Sequence, residues 1–342
     1  MVKIIFIGTS DFARLILERL TRAQAKAGEN KEWELAAVFT KSDKSQGRGL
    51  KPGSSPVKRL VKSCPNEKIK LVEADNFKSP AEIKKLRQFR PDLIITAAYG
   101  ALLPPAVLEM ARLGCLNIHP SLLPKYRGPS PIQGAILGRE KFTGATIIKM
   151  NERMDAGEMV ARARISVPAG VNFSSLHDKL ARVSAKLLLE ILPKYIKGKI
   201  ALKKQDEKKV TYTKLIKKQD GLIDWQEPAA KIQAKISGLN PWPGTFTFFK
   251  RQGGKKRRLF VVRAEALEAK LEEAAKHQVG TVIFDKRISA DPLVVTGGTD
   301  KKSPGDGRKM LRLVAIKPEG KREMKGRDFL NGHKDFIGAK LG

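Results

Sequence analysis

The first hundred residues alternate short apolar runs with amphipathic segments, and that alternation constrains the fold more than any other feature. Val2–Gly8, Glu34–Thr40, Ile69–Glu73 and Leu93–Tyr99 read as strands, rich enough in apolar residues to be covered on both faces. Between them Phe12–Ala27, Val57–Lys62 and Ala81–Arg90 have helical spacing. Thr9, Ser10 and Asp11 are good capping residues, and Gly28 is a stop. The pattern implies an α/β domain with a mostly parallel sheet, which takes ligands outside the carboxyl ends of its strands. FIGTSDF contains neither G-x-G-x-x-G nor a P-loop, so it reads as a strand-to-helix turn.

Further on, Cys115–Ile118 is a strand end followed by a loop whose prolines, at 120, 124, 129 and 131, keep it rigid and extended. Thr143–Met150 is another strand, Asn151–Gly157 a turn and Ser174–Leu192 a long amphipathic helix. The lysine-rich stretch Lys194–Asp224 reads as a solvated, extended linker. Ala229–Ser237 is a helix. Beyond Pro243 come five short strands: Thr245–Phe249, Leu259–Arg263, Gly280–Phe284, Leu293–Thr296 and Met310–Ile316. They suggest a small barrel, with Ala264–His277 as an inserted helix and Phe246 and Phe248 as core positions. The expected organisation is a first domain at 1–193, a linker at 194–224 and a second domain at 225–342.

Chemistry concentrates between Asn117 and Asp155. Asn117 and His119 are two apart, so on a strand they share a face. If the Thr143–Met150 strand lies alongside, Asp155 reaches His119. An Asp–His pair holds an imidazole protonated or orients a proton shuttle. A neighbouring amide can donate to a developing oxyanion. The set suits acyl transfer to an amine that attacks directly. Strand-end histidines are more often structural, and Asp155 could be only a turn residue. Arg127 and Gly128 read as turn and surface.

The chain has 67 basic and 35 acidic residues, a net charge of +32. Residues 201–342 alone carry 32 basic and 17 acidic side chains, so the excess is spread over both halves. Such a balance points to a polyanionic partner. Two basic clusters offer phosphate donors: Lys41, Lys44, Arg48, Lys51 and Lys58 in the loop Lys41–Lys58, and Lys250, Arg251, Lys255, Lys256, Arg257 and Arg258 in a later turn. Cys64 and Cys115 form no disulfide framework or C-x-x-C, and the four histidines share no metal-ligand spacing, so no metal is expected. His177, His277 and His333 read as surface or structural. With no signal peptide and no apolar run of about 20 residues, a cytoplasmic protein is expected, and a monomer.

Several motifs carry a resemblance covering Val2 to about Phe336. They are FIGTSDFA, the GRG at Gly47–Gly49 with SPVK, AAYGALLP at Ala97–Pro104 and LNIHPSLLPKYRGPSPIQ at Leu116–Gln133. TGATIIKMNERMDAGEM, IDW, NPWPG and KPEGKREMKGRDFLNG continue it. On these the chain resembles the methionyl-tRNA formyltransferases. The resemblance implies a Rossmann-like formyltransferase domain followed by an OB-like barrel. It implies transfer of the formyl group of 10-formyltetrahydrofolate to the α-amine of methionine on initiator methionyl-tRNA. Asn117 and protonated His119 would stabilise the oxyanion, and Asp155 would keep His119 charged and help move the amine proton. The folate would lie against Ser121, Leu122, Leu123 and Pro124, with Tyr99, Gly100 and Leu102 lining its pocket. Arg48, Lys44 and Lys51 would meet the tRNA, as would Lys255, Lys256 and Arg257. Ser10 stands where the family usually has proline, Tyr126 where it has tryptophan, and Ser42–Asp43–Lys44 where it has Pro–Asp–Arg. The alternatives are an amino sugar nucleotide as acceptor, which the basic charge, GRG and FLNG oppose, and a non-catalytic RNA-binding relative, which the intact trio opposes.

Overall fold

A computed structural model describes residues 1–28, 32–46, 51–64, 69–250, 256–267, 274–298 and 309–342, and only the backbone of residues 44–46, 51 and 52. The chain divides into two units. The first holds Met1–Pro131, Phe142–Ser166 and His177–Lys214; the second holds Ile132–Lys141, Val167–Leu176 and Leu215–Gly342.

The first unit begins with β1 (Val2–Gly8), α1 (Asp11–Ala27) and β2 (Trp33–Thr40). There follow β3 (Lys44–Gln46), β4 (Lys51–Gly53), α2 (Pro56–Ser63), β5 (Lys70–Glu73), α3 (Pro80–Arg87), β6 (Leu93–Ala97), α4 (Pro105–Leu108) and β7 (Cys115–His119). The chain then passes through α5 (Pro131–Leu137), which apart from Pro131 belongs to the second unit, and continues with β8 (Phe142–Lys149), β9 (Glu158–Ser166) and α6 (Phe173–Ile196), whose residues up to Leu176 also belong to the second unit. One sheet runs β5-β2-β1-β6-β7-β8-β9. Its first five strands are parallel, and β8 and β9 are antiparallel. The order reverses between β1 and β6, the place where such sheets open a crevice.

The apolar runs become strands because both faces are covered: in β1 every residue but Lys3 is buried. α1 buries Phe12, Ile16, Leu17 and Leu20 on one stripe, each contributing about 1.5–3 kcal/mol. Gly8 ends β1 because a Cβ there would lie 2.6 Å from the Ala13 Cβ and 2.8 Å from the Ala97 carbonyl oxygen. Helix and strand come this close only without a side chain.

Several expectations are corrected. The basic loop after β2 contains the hairpin β3–β4, and Arg48 lies outside the described residues. The strand at 93 stops at Ala97, because Ala98 turns to φ +41°. β9, not anticipated, forms the sheet edge with Arg162 and Arg164 exposed; charged side chains of this kind discourage edge-to-edge pairing. α6 continues through Pro193 to Ile196. The stretch after it is not solvated and extended throughout. Met159 and Lys203 exchange two backbone hydrogen bonds (2.7 and 3.0 Å), covering part of the open edge of β9. Arg127 donates to Thr211 and accepts from Thr213 (2.9 and 2.7 Å). The loop after β7 is a series of turns rather than an extended segment.

The second unit holds α7 (Ala229–Leu239), β10 (Thr245–Lys250), β11 (Lys256–Leu267), β12 (Val282–Ile283), β13 (Leu293–Thr296), β14 (Lys309–Pro318), β15 (Met324–Lys325) and α8 (Gly326–Gly332). The antiparallel order is β10-β11-β14-β13-β12, with β15 on β14. All five expected strands are present, in a small OB-like domain. Ile232, Ile236, Leu259, Val261, Leu311, Leu313, Phe329 and Phe336 are in its core. Ala264–Leu267 continue β11 instead of starting a helix. Phe246 and Phe248 are not core positions: Thr245, Thr247 and Phe249 are the buried residues of β10. The two inward threonines are satisfied, Thr247 accepting from the Trp225 indole (2.9 Å) and Thr245 donating to the Val261 carbonyl (2.6 Å).

Candidate active site

The site is built at the carboxyl end of β7. Asn117 pairs with Thr96 on β6 and with Ile148 on β8. Its side chain is fixed at both ends. The Thr96 hydroxyl donates to its Oδ1 (2.9 Å), and its Nδ2 donates to Asp155 Oδ1 (3.2 Å). Asp155 arrives from the β8–β9 turn at φ +49°. The same Oδ1 lies 3.6 Å from His119 Nδ1, and Oδ2 accepts from the Gly128 amide (2.8 Å). His119 is 4% exposed. Its Nε2 is 2.9 Å from the Tyr126 carbonyl, which only accepts, so Nε2 carries a proton. An imidazolium satisfies both contacts, donating at Nε2 and facing a carboxylate at Nδ1.

The turn carrying Asp155 is itself clamped. A Cβ on Gly157 would fall 1.9 Å from the Lys149 carbonyl oxygen, so only glycine lets β9 leave β8 there. Gln205 Nε2 donates to the Asp155 and Gly157 carbonyls (2.7 and 2.8 Å). Gln205 Oε1 accepts from Arg127 Nε and Nη2 (3.1 and 2.9 Å). Arg127 is fully buried, and it meets both oxygens of Glu207 (3.3 and 2.9 Å), which also takes Arg153 (3.2 Å). The hydrogen bond from Arg127 holds the Glu207 carboxyl below its ordinary value. Arg127, read as turn and surface, is thus the buried centre of a polar network that reaches the surface at Glu207 and Arg153. Gln205 and Glu207 were missed because they lie 78 and 80 residues away, and no spacing rule reaches that far.

The residues expected to line a folate pocket fall into two groups. Tyr99 is buried and donates to the Ala74 carbonyl (2.7 Å), and burial pushes its phenol up. Ser121 is buried, with its hydroxyl on the Lys125 carbonyl (2.6 Å), and Leu123 is fully buried. These side chains are used by the fold. Leu102 is 60% exposed, Leu122 and Pro124 are half-buried, and the Gly100 carbonyl accepts from Lys41 Nζ (2.8 Å). Because β6 and β7 are adjacent and parallel, both segments leave the sheet at the same carboxyl end. Exposed apolar side chains with nearby backbone groups fit a flat heteroaromatic ring.

Of the residues expected to meet RNA, Lys44 and Lys51 are on the hairpin strands, and Lys255 lies outside the described residues. Lys256 and Arg257 are both exposed but point to opposite faces of β11. Among the described residues, one possible ion-binding cluster forms, from Asp11, His177 and Asp178. His177, read as surface or structural, is 2.9 Å from Asp178, and Arg14 already supplies a cation to Asp11 (2.6 Å). No helix among the described residues is long and apolar enough to cross a membrane.

The formyl transferase family matches residues 2–192, and its C-terminal domain matches residues 215–334. A methionyl-tRNA formyltransferase of Caldanaerobacter subterraneus subsp. tengcongensis is 36% identical over 97% of both chains. One of Bacillus subtilis is 33% identical over 100% of this chain and 98% of its own. The chain belongs to the methionyl-tRNA formyltransferase family. Among solved structures, an N-formyltransferase of Helicobacter canadensis, in complex with folinic acid and dTDP-3-aminofucose, matches with a TM-score of 0.59 at 15% identity. That match covers 92% of this chain and 99% of the other. HypX of Aquifex aeolicus, in complex with tetrahydrofolic acid, matches at a TM-score of 0.58 and 17% identity. It covers 98% of this chain, which spans about half (48%) of HypX. At these identities the structural matches speak for the fold alone.

Proposed function

We propose that the chain transfers the formyl group of 10-formyltetrahydrofolate to the α-amine of methionine on initiator methionyl-tRNA, with Asn117, His119 and Asp155 as its catalytic residues. The observation that carries the residue assignment is the meeting of Asn117 and His119 on one Asp155 oxygen. The folate supplies an activated formyl carbonyl, seated by Leu102, Leu122, Pro124 and the backbone around Gly100. The amine nitrogen bonds to the formyl carbon, the bond from that carbon to the folate nitrogen breaks, and one proton passes from the amine to the departing nitrogen. Asn117 carries an N–H beyond the one given to Asp155, and this can donate to the carbonyl oxygen as charge develops there. His119 places positive charge beside that oxygen. Asp155 orients both groups and, as a carboxylate, can accept the amine proton. The basic surface accounts for a tRNA rather than a small metabolite as the acceptor.

The test is formyl transfer to charged initiator tRNA, set against charged elongator tRNA and an amino sugar nucleotide. Activity on the initiator tRNA above both others is expected. His119→Ala should lose about 10²-fold or more. Preference for the sugar nucleotide would refute the acceptor, and retained activity in the variant would refute the role of His119.

A further inference from the structure

The two strands that open the second unit carry a surface the catalytic chemistry does not use. Strand alternation points Phe246, Phe248 and Lys250 of β10 to one face. The register places them opposite Phe260, Arg258 and Lys256 of β11. Phe260 in turn pairs with Lys317 of β14. Every one of these seven residues is aromatic or cationic. The rings are half-buried and packed together, with centroids 5.7 Å apart for Phe246–Phe248 and 6.1 Å for Phe246–Phe260. The Arg258 guanidinium carbon sits among them, 4.8, 5.5 and 6.0 Å from the centroids of Phe246, Phe248 and Phe260. Lys256 Nζ lies 5.0 Å from the Phe248 ring.

The arrangement is poorly explained by folding alone. Directly opposed lysines, as at Lys250–Lys256, repel in a sheet. Arg258 Nε is buried with no hydrogen-bond partner among the described residues, and the Glu319 carboxylate stands 3.9 Å from its guanidinium. What the face provides is a planar cation held by aromatic rings and flanked by point charges. A planar guanidinium and phenyl rings stack on nucleobases, and lysines meet phosphates. Bases inside a duplex are already stacked, so the ligand that uses both features is unpaired RNA.

We propose that the outward face of β10 and β11 is a stacking seat for unpaired nucleotides of the RNA substrate, with Arg258 as its central plane. The proposal rests on the reading of that substrate as a tRNA. Arg258→Lys keeps the charge and removes the plane, and Phe248→Leu keeps apolar bulk and removes the ring. In the full chain, each is expected to raise the KM for methionyl-tRNA, and the Kd for a short single-stranded oligoribonucleotide, by about tenfold. The KM for the folate should not change. The slope of log affinity against log salt should stay at the wild-type value, whereas Lys256→Ala should lower it by about 0.7. Wild-type behaviour of Arg258→Lys would overturn the proposal, since a point charge would then suffice. An equal loss on an RNA duplex would also overturn it. Should the wild-type chain fail to formylate methionyl-tRNA, the substrate reading fails, while the oligoribonucleotide measurement still decides the fate of this face.

Discussion

Replacing Asp155 by Asn separates charge from shape. The backbone there is at φ +49°, which Asn tolerates better than almost any other side chain except Gly, so the turn should survive. The carboxylate faces three donors: Gly128 N at one oxygen, Asn117 Nδ2 and His119 Nδ1 at the other. An amide has only one oxygen. Given to Gly128, it turns an NH2 group toward Asn117 and His119; given to those two, it confronts the Gly128 amide. The shorter bond, 2.8 Å, favours the first arrangement. Two contacts are then lost: the hydrogen bond from Asn117, about 1 kcal/mol, and the 3.6 Å charge contact with His119, too long for a hydrogen bond and below the about 4 kcal/mol of a unit pair at that range. If this appears in the transition state, the rate falls by about 10²–10³. In steady-state formyl transfer, kcat should fall by that factor, with both KM values within about threefold of wild type. A variant keeping more than a tenth of wild-type kcat would refute the coupling of the three groups through one oxygen.

Two further outcomes follow from the titrating groups. The folded Glu207 carboxyl is held below the unfolded value, chiefly by its hydrogen bond from Arg127, so the pair stabilises fully above the ordinary carboxylate range and is lost as pH falls through the depressed value. Hydrogen exchange at the Thr211 and Thr213 amides should accelerate below about pH 4, and Glu207→Gln should remove that dependence; identical profiles in both proteins would sink the assignment. Cys115 is 1% exposed, with its thiol pushed up to about 12 by burial, while Cys64 is half-buried. At pH 8 a thiol reagent should titrate one cysteine in the native protein and both in denaturant, and two equal native rates would contradict the burial.

The central parallel strands β1 and β6 were legible because they are apolar along almost their whole length, a pattern with few alternatives. Asn117 and His119 were legible because a two-residue spacing fixes a shared face. Legibility failed where polar residues face inward. In β10 the buried positions include Thr245 and Thr247, and the outward ones are Phe246 and Phe248, the reverse of what hydrophobicity suggests. It failed again in β9, where two arginines disguise an edge strand. Gln205 sits in a lysine-rich run whose composition reads as solvated. Nothing local distinguishes a buried glutamine there from its exposed neighbours.

That glutamine changes what the segment after α6 does. Asp155 is held in place by a turn whose carbonyls at 155 and 157 are both bonded to one side chain, Gln205. Gln205 is in turn oriented by Arg127, which the chain delivers from the loop directly after His119. The sequence therefore closes a circuit: strand end, loop, arginine, glutamine, turn, carboxylate and back to the strand end. Each member is buried or half-buried, so removing any one leaves polar groups that water must reach to satisfy. A stretch that joins two domains could have been free in length and composition. Residues 203–213 are not, because they supply part of the frame that holds the carboxylate in register with the amide and the imidazole.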